Sequence, residues 1–88
     1  MELYKEIEKT FTAIEAAFPK EELLNFKDTP TGDLCLYHFS LGVWIRNNLL
    51  HQKESILYGL FRENNIKHPV DMSHFIITLF HRYIMYKI

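Results

Sequence analysis

The N-terminal segment carries apolar residues at helical spacing, and this periodicity constrains the fold more than any other feature of the sequence. In MELYKEIEKTFTAIEAAF, apolar side chains recur at i, i+4, i+8, i+11 and i+15, with charged residues on the opposite side. These apolar residues are Leu3, Ile7, Phe11, Ile14 and Phe18. The spacing predicts an amphipathic helix over about residues 2–18 that packs through one face. Pro19 ends it, and the following PKEELLNF suits a short second helix.

The middle of the chain predicts two further helices. After the loop KDTPTGD, a long helix is expected over about residues 33–50, and its apolar residues surround the axis, which is typical of a central helix. Gly42 within it costs about 1 kcal/mol relative to alanine, so we expect another element to approach closely there. A shorter helix is expected over about residues 53–63. Asn64 or Asn65 can adopt the left-handed conformation that closes it.

The last predicted helix begins with Asp71 as its N-cap and extends through Tyr86. Its apolar residues cover an arc of about 220°, more than a small bundle usually hides. Such a helix is either fully central or part of an interface, of which a homodimer through this C-terminal helix is the simplest. The remaining circumference forms a narrow polar stripe, which we predict to be the exposed binding residues: His74, Thr78, His81, Arg82 and Met85.

Length and composition indicate one dense domain. A chain of 88 residues buries only about 60 to 65% of its unfolded surface, and the 48% hydrophobic and 15% aromatic content supplies the core. We therefore predict a single all-α domain over residues 1–88, a small bundle of about four helices. No apolar run reaches the length of a membrane span, and the charged N-terminus is unlike a signal peptide. With Cys35 as the single cysteine, a cytoplasmic location is expected.

Charge is divided unevenly along the chain. Residues 1–33 carry eight acids against four lysines, a net −4, whereas residues 34–88 carry three acids against six Lys and Arg, a net +3. All five histidines lie in the second part. This mildly basic, His-containing half could bind nucleic acid or a small ligand, which is the alternative function. Nucleic acid is nevertheless unlikely as a partner, because the pI of about 6.5 is far from a strongly basic footprint.

Two short elements in residues 38–84 resemble a known pattern. HFSLGVWIRNNLL is followed by IKHPVDMSHFIITLFHRYI, and together they resemble a family of small uncharacterised bacterial domains that carry a GxWIRN element and then an HPxDMS element. The resemblance implies a common fold and no known activity. It also implies a structural signature at Trp44, Arg46, Asn47, His68, Pro69, Asp71 and Ser73. The sequence departs from the pattern at LLHQ, where a Trp-containing continuation is expected, and at Val70, where an acid is expected.

Arg46 needs a bonding partner more than the other residues of this signature do, because its guanidinium is expected to project from an apolar face of the helix. A buried unpaired charge would cost several kcal/mol. Asp71 and Glu63 are the candidate acids, and we expect Arg46 to bridge to the start of the last helix through Asp71 or nearby carbonyls. The plain alternative is a solvent-directed arginine whose stem covers apolar surface. Asn47 is expected to bond loop backbone.

No motif points to catalysis. Cys35, His38, His74 and His81 could be drawn as a metal site, but their spacings match no zinc motif. Cys35 lacks a recognisable His partner for nucleophilic chemistry and is expected in the core. Isolated glycines form no phosphate loop. The sequence therefore predicts no metal, no cofactor and no enzyme, but a small protein-binding module of inhibitor or adaptor type. By analogy this class includes immunity proteins, antitoxins and phage-encoded antagonists of host proteins.

Overall fold

The computed structural model describes residues 2–51 and 55–87, and within those ranges every regular element is helical. The elements are α1 (Glu2–Ala17), α2 (Lys20–Asp28), a 3-10 helix (Thr31–Tyr37), α3 (Leu41–Ile45) continued by a π-helical segment (Arg46–Leu50), α4 (Ile56–Glu63) and α5 (Pro69–Lys87). The all-α prediction is confirmed. The prediction of about four helices is too low, because these ranges contain six when α3 and its π-helical continuation count as one.

All of these helices share one globule. The Cα radius of gyration is 12.4 Å, close to the roughly 12 Å expected for a folded domain of this length. No helix within residues 2–51 and 55–87 is long and apolar enough to cross a membrane. The predicted start, at residue 53, of the helix expected over residues 53–63 lies outside the described residues, and α4 is seen from Ile56.

Helix α1 follows its predicted pattern. The four stripe residues Leu3, Ile7, Phe11 and Ile14 are buried, and each such side chain contributes roughly 1.5 to 3 kcal/mol through burial. Phe18 lies just beyond the helix end and is half-buried. The helix stops there because Pro19, in extended conformation at φ −60° and ψ 146°, directs the chain into α2.

The prediction of a single long helix over residues 33–50 is wrong. The chain instead forms a 3-10 helix, and helical geometry is interrupted at Ser40, which has φ −111° and ψ −86°, before α3 begins. The Ser40 amide bonds back to the carbonyl of Tyr37 at 3.3 Å, a local bond that competes with continued α-helix. The break rotates the two halves relative to one another, so Leu36 and Phe39 are 73% and 85% exposed rather than packed around a central helix.

The close approach predicted at Gly42 is present, but its nearest atom belongs to the continuation of the same helix, and the preceding 3-10 helix contributes the second contact. A Cβ at Gly42 would lie 3.0 Å from Nη1 of Arg46, one turn later, and 3.4 Å from the carbonyl oxygen of Tyr37. Beyond Arg46 the helix widens into the π-helical segment, where the His51 amide bonds to the Arg46 carbonyl at 2.8 Å. Leu50, at the end of this segment, is buried.

The C-terminal end of α4 agrees with the sequence prediction, but the start of α5 does not. Asn65 has φ 65°, which confirms the expected left-handed residue after α4. Helix α5 begins at Pro69, and the carbonyl of His68 accepts its first bond, from the Met72 amide at 3.0 Å. Asp71 is therefore not the N-cap but lies in the first turn, where its negative charge still interacts favourably with the helix dipole. Proline suits the first helical position because it has no amide to leave unpaired.

Helix α5 is the centre of the bundle. It contacts α1, α2, α3, α4 and the 3-10 helix. Its buried residues are Met72, Ser73, Ile76, Ile77, Phe80, His81 and Ile84. Most of the 220° apolar arc is thus covered within one chain. Within residues 71–87 the arc leaves Phe75 and Tyr86 as exposed large apolar side chains, and Met85 of the predicted polar stripe is exposed as well. The central position of α5 therefore explains most of its apolar surface, and no partner is needed to cover that part.

Candidate functional site

A groove of about 910 Å³ runs along the C-terminal half of α5. The facing wall comes from the start of α1, through Tyr4 and Glu8, and from the 3-10 helix. Four of the five residues of the predicted binding stripe line this groove: Thr78, His81, Arg82 and Met85. His74 is exposed but lies outside the groove, one turn earlier on α5.

His81 is buried, and the prediction that it lies on an exposed stripe is wrong. Its side chain is 3% exposed, its Nε2 lies 3.1 Å from the carbonyl oxygen of Lys27, and its ring meets Phe26 edge-on at 5.2 Å. These contacts fasten α5 to the end of α2. His81 therefore belongs to the floor of the groove and has a structural role. Thr78 is half-buried and donates to the carbonyl of His74 at 3.0 Å.

The accessible chemistry of the groove comes from Arg82 and from side chains near the C-terminus. Arg82 is exposed and makes no hydrogen bond or ion pair with any other residue in the described ranges. Met85 is 53% exposed and Tyr86 is 91% exposed, and Tyr4 on the opposite wall is also exposed. The helical spacing places Tyr86 on the apolar arc of the last helix and so does not identify it as a site residue.

The rim of the groove contains a small polar network centred on Glu15. Lys87 donates to both carboxylate oxygens of Glu15, at 2.8 and 3.0 Å, and to the Tyr83 hydroxyl at 3.2 Å. The hydrogen bond to Glu15, followed by that to Tyr83, raises the pKa of the exposed Lys87 ammonium above its usual 10.5. Lys87 is therefore paired with Glu15 of α1, whereas Arg82 is the cation of the groove that has no partner among the described residues.

The two sequence elements GVWIRN and HPVDMS meet through Arg46. Its Nη1 donates to the Ser73 hydroxyl at 2.9 Å and its Nη2 donates to the His38 carbonyl at 3.2 Å. Ser73, 1% exposed, donates in turn to the carbonyl of Val70 at 2.9 Å. Arg46 thus reaches the start of α5, as expected, but through a neutral hydroxyl. Among the described residues it makes no ion pair with the expected acids, Asp71 or Glu63.

The other signature residues have different surroundings. Asn47 is exposed, and within residues 2–51 and 55–87 it makes no side-chain hydrogen bond to loop backbone; its neighbour Asn48 donates to the Trp44 carbonyl at 2.9 Å. His68 and Asp71 are exposed, and Pro69 is half-buried. Trp44 is half-buried and lines a second cleft, described below.

The predicted core position of Cys35 is wrong, since its side chain is exposed. Its Sγ lies 3.9 Å from the carbonyl oxygen of Gly32. Across residues 2–51 and 55–87, no group of three or more His, Cys, Asp or Glu side chains is placed to hold a metal ion. The described cysteine and histidines therefore offer no assembled metal site.

These features define a small helical domain with an open, mixed polar and aromatic groove. The chain belongs to the family described as Domain of unknown function (DUF6794), whose model matches residues 5–84. The match covers α1 and α2 as well as the two elements of the second half, so the family unit is nearly the whole globule. No curated protein and no solved structure matches this chain.

Proposed function

We propose that this chain is a non-catalytic protein-binding module and that its binding site is the groove along α5. The observation that carries the proposal is the exposure of Tyr86, Met85 and Arg82 along one groove wall. Tyrosine, methionine and arginine are enriched in protein interfaces, where they supply large contact areas and charged hydrogen bonds. A tyrosine that is 91% exposed contributes little to the packed core, and it suits a surface that is covered on binding.

The proposed occupant is a segment of another protein that presents an apolar side chain and a carboxylate. The apolar side chain would pack between Met85 and the two tyrosines, Tyr4 and Tyr86, that flank the groove. The carboxylate would pair with Arg82, whose planar guanidinium favours bidentate contact with such a group. A role as inhibitor or adaptor, like that of immunity proteins, antitoxins or phage-encoded antagonists, forms part of this proposal because one occupied groove is sufficient for it.

The same surface favours protein over nucleic acid. A nucleic-acid groove would concentrate unpaired cations, whereas Lys87 is bonded to Glu15 and the facing wall carries the acidic Glu8. A homodimer through α5 is the other possible occupant of the groove. The core already covers most of α5, so a second copy in the groove would bury mainly Met85 and Tyr86 in addition.

We further propose that GxWIRN and HPxDMS form a shared structural signature in the family. Arg46 of the first element and Ser73 of the second are joined by a hydrogen bond, with His38 as the third member. A residue that fastens two distant parts of the chain is more constrained than an ordinary surface arginine. On this proposal the signature maintains the fold and the α5 groove binds the partner.

The proposal is tested by quantitative capture from lysate of the source cells with a tagged chain, with and without nuclease. Arg82→Glu should reduce recovery of a stoichiometric partner by about tenfold, since charge reversal opposes a carboxylate. The matched control is Arg62→Glu on α4, another exposed arginine that lies outside the groove, and it should leave recovery within about twofold. Unchanged recovery by Arg82→Glu would refute the groove as the site. Loss of the partner on nuclease treatment would instead favour nucleic-acid binding.

A further inference from the structure

A second cleft, of about 440 Å³, lies between the end of α1, α2 and the start of α3. None of its lining residues lines the α5 groove, so the two sites are separate surfaces. Its volume falls within the range typical of small-ligand pockets. The walls are aromatic, from Phe18, Tyr37 and Trp44, and polar groups lie at Glu22, Asn25 and Ser40.

The aromatic walls are held in place by the core. The ring of the fully buried Phe26 packs against two of these walls. Its centroid lies 5.5 Å from that of Phe18 and 4.9 Å from that of Tyr37, the latter with an interplanar angle of 89°. The Tyr37 hydroxyl lies 3.3 Å from Oγ1 of Thr29. The Trp44 amide bonds to the Ser40 carbonyl at 3.2 Å, at the base of α3. A ligand would therefore meet preformed walls and lose little affinity to ordering them.

The lining of this cleft carries charge of one sign. Glu22 is the single charged residue among the described residues that line it, and no Lys, Arg or His is among them. Lys20 and Glu21 precede it in the first turn of α2 with opposite charges, and residues 1–33 as a whole carry a net charge of −4. Three aromatic rings and a carboxylate share one preference, because ring faces and an anion both attract a cation.

We propose that this cleft binds an organic ammonium group, with Phe18, Tyr37 and Trp44 as the aromatic walls and Glu22 as the counter-ion. Trp44 has the greatest share in this preference, since indole is the strongest cation–π acceptor among the side chains. The ammonium group could belong to a free small amine or to the lysine side chain of a peptide. Both present the same chemistry to the cleft.

The test uses the intrinsic fluorescence of the full chain, because Trp44 is its single tryptophan and lines the cleft. The probes are choline and its uncharged isostere, in which carbon replaces the quaternary nitrogen. Choline should change the fluorescence saturably, and the isostere should bind about tenfold more weakly because it lacks the charge that the rings and Glu22 attract. Equal affinities for the two probes, or no saturable change with choline, would overturn the proposal.

A matched pair of variants assigns the charge. Glu22→Gln should weaken choline binding about twofold to fivefold, as for an exposed ion pair, whereas Glu21→Gln on the same turn should bind like the parent chain. Equal affinities for the two variants would overturn the role of Glu22. Both residues are exposed, so neither change should impair folding.

The source of the ammonium group is distinguished by two further probes, n-butylamine and lysine with both termini blocked. Both probes should bind if the cleft is an ammonium site. Failure of both to bind would contradict the proposal. Tighter binding of the blocked lysine, by about fivefold or more, would identify a peptide-borne lysine, because only that probe offers backbone groups to Asn25 and Ser40. Equal or weaker binding would identify a free amine.

Discussion

Replacing Arg46 by methionine should destabilise the protein by about 2 kcal/mol. The change removes two hydrogen bonds from a charged donor, to the Ser73 hydroxyl at 2.9 Å and the His38 carbonyl at 3.2 Å. Such bonds contribute roughly 1.5 to 3 kcal/mol each when buried. Arg46 is half-buried and methionine retains much of its apolar stem, so the sum is reduced by solvent and by recovered side-chain entropy. We therefore expect about half of the full value.

Urea titration followed by circular dichroism measures this loss. With a slope of about 1 kcal/mol per molar urea for a chain of this size, the midpoint should fall by about 2 M. Arg62→Met is the matched control, because Arg62 is exposed and donates only to the Tyr58 hydroxyl, at 3.3 Å, within the described residues. That variant should stay within about 0.5 kcal/mol of the parent.

A double-mutant cycle isolates the contact itself. Ser73→Ala alone should be destabilising, and its effect combined with Arg46→Met should fall short of the sum by about 1 kcal/mol because the two residues share one hydrogen bond. If Arg46→Met is as stable as the parent, or if the two changes simply add, the bridge between the two halves of the signature does not stabilise the fold.

Two other changes test the local geometry. Gly42→Ala should destabilise by about 1 kcal/mol despite its better helix propensity. The new Cβ would lie 3.0 Å from Nη1 of Arg46, and the guanidinium can move away only by weakening its hydrogen bonds to Ser73 and to the His38 carbonyl. A Cβ at Gly59 in α4 meets nothing within 4 Å, so Gly59→Ala should stabilise by about 0.5 to 1 kcal/mol. Urea midpoints compare the two variants, and a stabilising Gly42→Ala would contradict the crowding. Lys87→Met tests the ion pair with Glu15. Because the folded-state pKa of Lys87 is raised, its stabilisation is fully present below about 10.5 and is lost as pH rises through the higher folded value, so the difference in urea midpoint between parent and variant should be constant near neutral pH and should disappear in strong alkali. A difference that persists there would show that the ion pair is not its source.

The ends of the chain were predictable because local periodicity decides them. The four buried residues of α1 are those that a spacing of 3.6 residues selects, and α5 buries most of its predicted arc. The middle was not predictable from the same arithmetic. Rotation at 100° per residue assumes an unbroken α-helix, whereas the chain passes through 3-10, α and π geometry between Thr31 and Leu50. Each change of geometry shifts the faces, so Cys35 and Phe39 are exposed.

The candidate site was predictable only as a helix face. The spacing placed Arg82 and Met85 on the open side of α5, but the groove exists because Tyr4 and Glu8 of α1 lie opposite, a long-range arrangement that no local pattern contains. His81 was misplaced because a polar ring was assigned to solvent, although a single backbone carbonyl satisfies it in the core.

The partner of Arg46 was only partly predictable for a similar reason. The sequence points to the acids Asp71 and Glu63, or to carbonyls near Asp71, because a buried charge favours an opposite charge. A half-buried guanidinium has five donors and is instead satisfied here by the neutral hydroxyl of Ser73 and the carbonyl of His38. Ser73 belongs to the signature that the sequence resemblance implied, but only the structure joins it to Arg46.

Site-specific photocrosslinking tests the central claim most directly. A photoreactive amino acid replaces Tyr86, which is 91% exposed and lines the α5 groove, or Ile56, which is 69% exposed on α4 and outside it. Irradiation in the source cells should join the Tyr86 variant to one defined protein, and Arg82→Glu in the same chain should reduce that product by about tenfold. The Ile56 variant should yield none. Equal crosslinking from both positions, or a product that Arg82→Glu leaves unchanged, would contradict the groove as the binding site.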